Sequence, residues 1–226
     1  MIWSEFKQLI EAILVVVGAV LPVVNPLGDA PIFLSMTRGC DEATRAELAT
    51  RIALYSFMLL LGSILLGTFV LRFFGLSIPV VQVAGGAVVC ALGWNILADH
   101  QKPAEVVTDV SAAKLAALGR AFYPLTLPLS IDGGVISVAI TVGANHARTL
   151  SGEVIPFLAG VMGAAIVAAA ILLTYRYAQR VGRRIGRNGM TVILRLSAFL
   201  VLCIGVEIGW NGVKSLLQEV GVEAHP

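Results

Sequence analysis

The sequence predicts an all-α integral membrane protein of six transmembrane helices, arranged as two inverted three-helix repeats with helices 1 and 4 broken near the midplane. Three observations carry that expectation. The 226 residues are 58% hydrophobic and only 13% charged, with a mean hydropathy of +0.89, whereas a soluble domain is about 25% charged. Six apolar stretches are long enough to cross a hydrocarbon core of about 30 Å. Two of these stretches are interrupted well inside by proline, glycine and one aspartate. They read Asn25-Pro26-Leu27-Gly28-Asp29-Ala30-Pro31 and Pro128-Leu129-Ser130-Ile131-Asp132-Gly133-Gly134.

The first span is expected at Leu9–Leu34 and contains the first break. Ile52–Leu71 and Ser77–Ala98 follow, completing a repeat over about residues 1–98. A stretch at about 99–119, carrying Asp, Lys, Pro and Glu and then alanines, reads as the linker. Ala121–Val142, with the second break, Val154–Tyr175 and Thr191–Leu217 form a second repeat over about 120–217, all within one domain, 1–226. Gly93-Trp94-Asn95 and Gly209-Trp210-Asn211 recur near the end of each unit, in the same order as the breaks. A unit with an odd number of spans enters the membrane from opposite sides in its two copies, so the repeats are inverted. Trp3, Trp94 and Trp210 read as membrane-interface residues. Small residues in span 5, from Gly160 to Ala170, read as close helix packing.

Charge sets the orientation. With six spans, Lys7, Arg72, Arg148 and Lys214 share one side, and the other twelve of the 16 Lys and Arg residues share the opposite side. Positive loops stay in the cytoplasm, so both termini are expected to face outward. The cluster from Arg176 to Arg187 reads as the anchor of span 5, with membrane lipids beside it and no nucleic acid. The first apolar run is too long for a cleaved signal and lacks a small-residue cleavage pattern. Cys40, Cys90 and Cys203 have no paired spacing, and His100, His146 and His225 are scattered. No metal or other cofactor is expected. No GxxxxGK[ST] motif provides for ATP, and no enzyme activity is expected.

The breaks themselves point to a solute site. Helix breakers and carboxylates are costly in hydrocarbon and persist there where they line a polar cavity. Asp29 stands before Ala30-Pro31-Ile32, where an N-cap belongs, and Asp132 stands likewise before Gly133-Gly134-Val135. Each break would then offer a positive half-helix N-terminus and a negative C-terminus, a combination suited to a small zwitterion. Asn25, Pro26, Gly28, Asp29, Thr126, Pro128, Ser130, Asp132, Gly133 and Gly134 are the expected solute-binding residues, with Ser137 a further donor. The glycines would make a narrow cavity. A serine or asparagine caps nearly as well as aspartate, without a penalty of at least about 2.5–3.5 kcal/mol for a charge at mid-membrane. Asp29, Asp132 and a third intramembrane acid, Glu207, are therefore the candidates for coupling to H+ or Na+. Gln82 is a weaker cavity candidate, and Arg195 is expected to reach the cytoplasmic interface.

The run Val24-Asn25-Pro26-Leu27-Gly28-Asp29-Ala30-Pro31-Ile32-Phe33-Leu34 resembles the signature of the MarC family of bacterial inner-membrane proteins. Phe122-Tyr123-Pro124-Leu125-Thr126-Leu127-Pro128-Leu129-Ser130 is similar to that family's second signature, and Arg195 falls where the family commonly has arginine. The resemblance covers nearly the whole chain, with its six spans and outward termini, and implies a bacterial inner membrane with both termini on the periplasmic side. It implies kinship with small neutral amino-acid transporters for glycine and alanine. The chain departs from the pattern at both breaks: Asp132-Gly133-Gly134 replaces a Gly-Pro-Gly type turn, and Asp29 replaces what is more often a neutral residue. Added carboxylates repel an anionic substrate and favour an amine or a cation.

The leading expectation is therefore a secondary transporter moving a small neutral amino acid by alternating access, with homo-oligomers open. The alternatives are a non-transporting channel, a lipid-handling or accessory membrane protein, and an intramembrane aspartyl hydrolase.

Overall fold

A computed structural model describes residues 2–98, 115, 118–149 and 154–223, and every regular element among them is helical. The expected linker lies largely outside the described residues. Five helices are long and apolar enough to cross a membrane: Glu5–Val24, Glu42–Phe74, Ile78–Ala98, Val154–Arg180 and Thr191–Gln218. The expected fourth span is not among them. Ala121–Val142, expected to be broken, is divided into a turn, a π-helical segment at Leu125–Ser130, and the start of a shorter apolar helix. The physical reason lies in Pro124 and Pro128, which cannot donate to a helical ladder.

In chain order, α1 is Ile2–Val24 and α2 is Pro26–Met36, joined by the single residue Asn25. Helix α3, Glu42–Phe74, is capped by Asp41, whose carboxylate accepts from the Thr44 amide at 3.0 Å. It ends at Gly75, in the left-handed region at φ 65°, which glycine enters without a Cβ penalty. Only Gly75–Ser77 separates α3 from α4, Ile78–Ala98, so the two run antiparallel. Helix α5 is Gly133–Thr149, and α6 is Val154–Glu223.

The contacts of α6 give it two limbs of opposite direction. In the first, Gly160 lies beside Ile64, while Tyr175 to Arg180 share a cavity with Glu42, Arg45 and Ala46. This limb therefore descends toward the end where α3 begins. In the second, Ala198 and Leu202 meet Gly93, Gly205 meets Gly86, and Gly212 meets Pro79, so it climbs back along α4. Glycines permit backbone-to-backbone approach here, the packing that drives helix association in lipid.

The core lies where α1, α2, α3, the π-helical segment, α5 and both limbs of α6 converge. It includes Val16, Val20, Ile32, Phe33, Leu48, Ile52, Leu125, Ile131 and Ile171. Large apolar side chains such as Leu14, Leu66, Phe69, Phe73 and Leu173 face outward. A lipid environment accounts for that reversal of the usual distribution.

Candidate functional site

Both breaks open onto one cavity. Asn25 and Asp29 line it from the first break, and Pro128, Leu129 and Asp132 from the second. Val23 and Val24 at the end of α1, Val89 and Leu92 of α4, and Val201 and Ile204 of the second α6 limb complete the wall. Val89 and Val201–Ile204 fall near the middles of two membrane-length helices, so the cavity is at mid-membrane depth. Its volume is about 20 Å³, room for about one water molecule. Helices α2 and α5 both begin here and leave in opposite directions, α2 toward Tyr175 and α5 toward Ile64 and Gly67. Two half-helix N-termini thus meet at the cavity.

The first break is closed by Asn25, not by Asp29 as expected. Asn25 adopts a left-handed conformation (φ 44°, ψ 57°), and its side chain accepts from the Gly28 amide at 3.3 Å. Asparagine tolerates this region better than most residues. Pro26 then occupies the first helical position, where its missing N–H is no loss. A Cβ on Gly28 would collide with the Asn25 amide group. Asn, Pro and Gly of this run therefore form one local device. Asp29 lies inside the first turn of α2, 4% exposed. Among the described residues no hydrogen bond reaches its carboxylate.

The second break follows a different plan. Its π-helical segment uses amide bonds five residues back, from Leu127 to the Phe122 carbonyl and from Ile131 to the Thr126 carbonyl, both 2.8 Å. The hydroxyls fill two carbonyls within this irregular ladder: Thr126 donates to Ala121 at 2.7 Å and Ser130 to Leu125 at 2.9 Å. The peptide bonds before Pro124 and Pro128 are cis. Asp132 is the cap of α5, as expected: its Oδ1 accepts from the Val135 amide at 2.8 Å, and the Gly134 amide also bonds to it.

Several expected site residues stand away from the cavity wall. Thr126 and Ser130 are buried and occupied with backbone carbonyls. Gly133 abuts the backbone of Gly85 on α4, and Gly134 abuts Ile208. The glycines are packing positions, and the narrowness of the cavity comes from Asn25, the second break and aliphatic side chains. Ser137 donates to the Gly134 carbonyl at 2.8 Å. Glu207 is exposed on the outer surface and accepts from Asn211 at 3.1 Å. It does not join the two aspartates. Gln82 is outside the wall, and Arg195 is exposed.

Tyr175 is the residue that sequence reasoning missed. Its ring stacks on Phe33 of α2 with centroids 4.5 Å apart and planes at 8°. Its hydroxyl lies 2.8 Å from Ser130 Oγ. The single Ser130 proton goes to the Leu125 carbonyl, so Tyr175 is the donor in this pair. Its other side lines a second cavity of about 280 Å³ at the α3-start end of the bundle, with Glu42, Arg45, Arg176 and Arg180. Tyr175 thus stands between that cavity and Asp29, whose charge reaches it. In the sequence it closes an apolar run, the usual place of an interfacial tyrosine, and nothing there signals a buried one.

The sequence pattern of a family described as "MarC family integral membrane protein" matches residues 10–217. The inner membrane protein MarC of Citrobacter koseri is 28% identical over 224 residues, covering 93% of this chain and 98% of that protein. MarC of Salmonella typhimurium is 29% identical over 219 residues, with the same coverage. The membrane protein YvbG of Bacillus subtilis is 26% identical over 205 residues, 86% of this chain and 90% of its own length. No solved structure matches significantly.

Proposed function

The chain belongs to the MarC family of integral membrane proteins, and on that premise we propose that it is a secondary transporter of a small solute bearing an ammonium group, with a neutral amino acid of the glycine or alanine type as the leading candidate. The observation that carries this reading is the meeting of two broken segments, with both aspartates, in one mid-membrane cavity. Discontinuous helices meeting at the midplane are the recurring construction of solute sites in secondary transporters.

Electrostatics selects the kind of solute. The amides of Gly28, Gly134 and Val135 are already engaged by Asn25 and Asp132. What the cavity presents is carboxylate, with no arginine, lysine or histidine among the described residues of its wall. A cationic group is accepted there and an anion is repelled. The cavity has room for about one water molecule, so a larger solute enters by displacing one half of the bundle against the other. Opening toward the α3-start end requires Tyr175 to leave Ser130 and Phe33.

The inverted repeat gives that motion its symmetry. In each half a broken element is followed by two membrane-length helices: α1 and α2 with α3 and α4, then the π-helical segment and α5 with the two limbs of α6. Asn25 and Asp132 cap equivalent half-helices that leave the cavity in opposite directions. The positive loops put the α3-start end in the cytoplasm and both termini outside the inner membrane. Proton or sodium coupling through the aspartates belongs to the same reading, which contains no chemical step. A second reading uses the same acid pair for intramembrane aspartyl hydrolysis, chemistry that two facing carboxylates support. It predicts peptide cleavage that is lost in Asp29→Asn.

The test is counterflow in proteoliposomes of the purified protein, with labelled glycine, alanine, small amines and small carboxylates. Exchange of a zwitterion or amine, without exchange of the carboxylates, is the expected result. A protein that exchanges none of the panel is not this transporter.

A further inference from the structure

The two aspartates have unequal partners. Asp132 is held in place by the amides of the helix it caps, with its Oδ1 2.8 Å from Val135. Asp29 is 96% buried by its 4% exposure, lines the cavity, and has no hydrogen-bond partner among the described residues. Both carboxylates line the same small cavity, and the charge of Asp132 reaches Asp29. The groups facing Asp29 can be followed around the wall. Asn25 at the end of α1 is neutral, the second break contributes only Asp132, and α4 and the second α6 limb contribute aliphatic side chains. The first α6 limb brings the Tyr175 hydroxyl, itself committed to Ser130. Among the described residues, two acids and no base line a space that holds about one water.

Two bare negative charges removed from water and set against each other are costly on both counts. One small positive charge between them reduces both costs. We infer that Asp29 and Asp132 together hold a single small monovalent cation, a proton or a desolvated sodium-sized ion, with Asp29 the member that loads and releases it. Asp132 is the fixed counter-charge, because releasing its position would uncap α5. Loading leaves the cavity with one negative charge instead of two, and the charge that remains is the one held by the α5 amides, so the two broken segments can close on each other. This deepens the transport reading and rests on it for what the ion drives; occupancy of the site is measured without transport.

The experiment uses purified full-length protein in detergent. Thermal unfolding is followed in sodium chloride against choline chloride at fixed pH, and infrared difference spectra across a pH series report protonated carboxyl groups. The sodium source predicts a midpoint that rises with sodium in the wild type and does not move in Asp29→Asn. The proton source predicts no sodium response, but a protonated-carboxyl band in the wild type that disappears in Asp29→Asn. In Asp132→Asn, which keeps the cap, the apparent affinity for the same cation falls by about tenfold or more as the counter-charge is lost. The inference is overturned if the wild type shows neither response, if Asp29→Asn responds like the wild type, or if only magnesium or calcium moves the midpoint. Should Asp29→Asn fail to fold, the wild-type sodium response and infrared band decide by themselves. A positive cation result with failed counterflow, or the reverse, separates this inference from the transport reading.

Discussion

At the first interruption the cap is Asn25 and the aspartate is left over, four residues into α2, buried and without a hydrogen bond among the described residues. At the second the aspartate is itself the cap, and it follows a π-helical segment stitched by the hydroxyls of Thr126 and Ser130. The two runs share proline, glycine and one acid, yet they distribute those parts differently. An aspartate's role at a helix start depends on whether another side chain has already taken the amides. Where asparagine has done so, the carboxylate is free for other chemistry.

The sharpest way to break this comparison is to attack the glycines. Gly133 meets the Gly85 backbone, which cannot move aside, whereas Gly28 meets only the end of the Asn25 side chain. Gly133→Val is expected to cost about 3 kcal/mol by overpacking and to leave little monodisperse protein in size-exclusion chromatography. Gly28→Ala should remain folded, with Asn25 displaced. Equal behaviour of the two variants would remove the distinction between a packing glycine and a capping-device glycine.

A smaller effect separates the two acids. Asp132→Ala loses the α5 cap and should lower stability by about 1 kcal/mol, with recovery in Asp132→Asn or Asp132→Ser. Asp29→Ala removes no cap and should show no such loss in the same thermal melts. If Asp29→Ala is destabilised and rescued by asparagine in the same way, Asp29 is a cap after all.

The smallest effect concerns the left-handed residue. Asn25→Gly should cost only a few tenths of a kcal/mol, because glycine suits both the cap and a φ of 44°. Asn25→Val should cost considerably more, since a β-branched residue is strained there. Unfolding midpoints of the two variants, compared with the wild type, check this ordering.

Much of the fold was legible because lipid imposes a simple rule: backbone polar groups are satisfied within each segment, so spans appear as long apolar runs. Five of the six expected spans are membrane-length helices. The fourth, expected to be broken, is divided so far that only a short helix remains, because hydropathy counts apolar residues and not amide donors, and Pro124 and Pro128 remove two of those. The site was half legible. Pro, Gly and Asp inside apolar runs marked both breaks, but Glu207 looked equivalent to Asp29 and Asp132 until the helix face showed it outside.

The sequence by itself determined the membrane class, the positions of the two breaks and the unusual presence of an acid in each. Those follow from composition and from residues whose backbone chemistry is local. Only the tertiary structure decided that both breaks open on one cavity, that Asn25 takes the cap and frees Asp29, and that Tyr175 joins the two halves. The cap depends on which side chain reaches the Gly28 amide first, whereas the shared cavity and the Tyr175 contacts depend on packing between segments distant in the sequence.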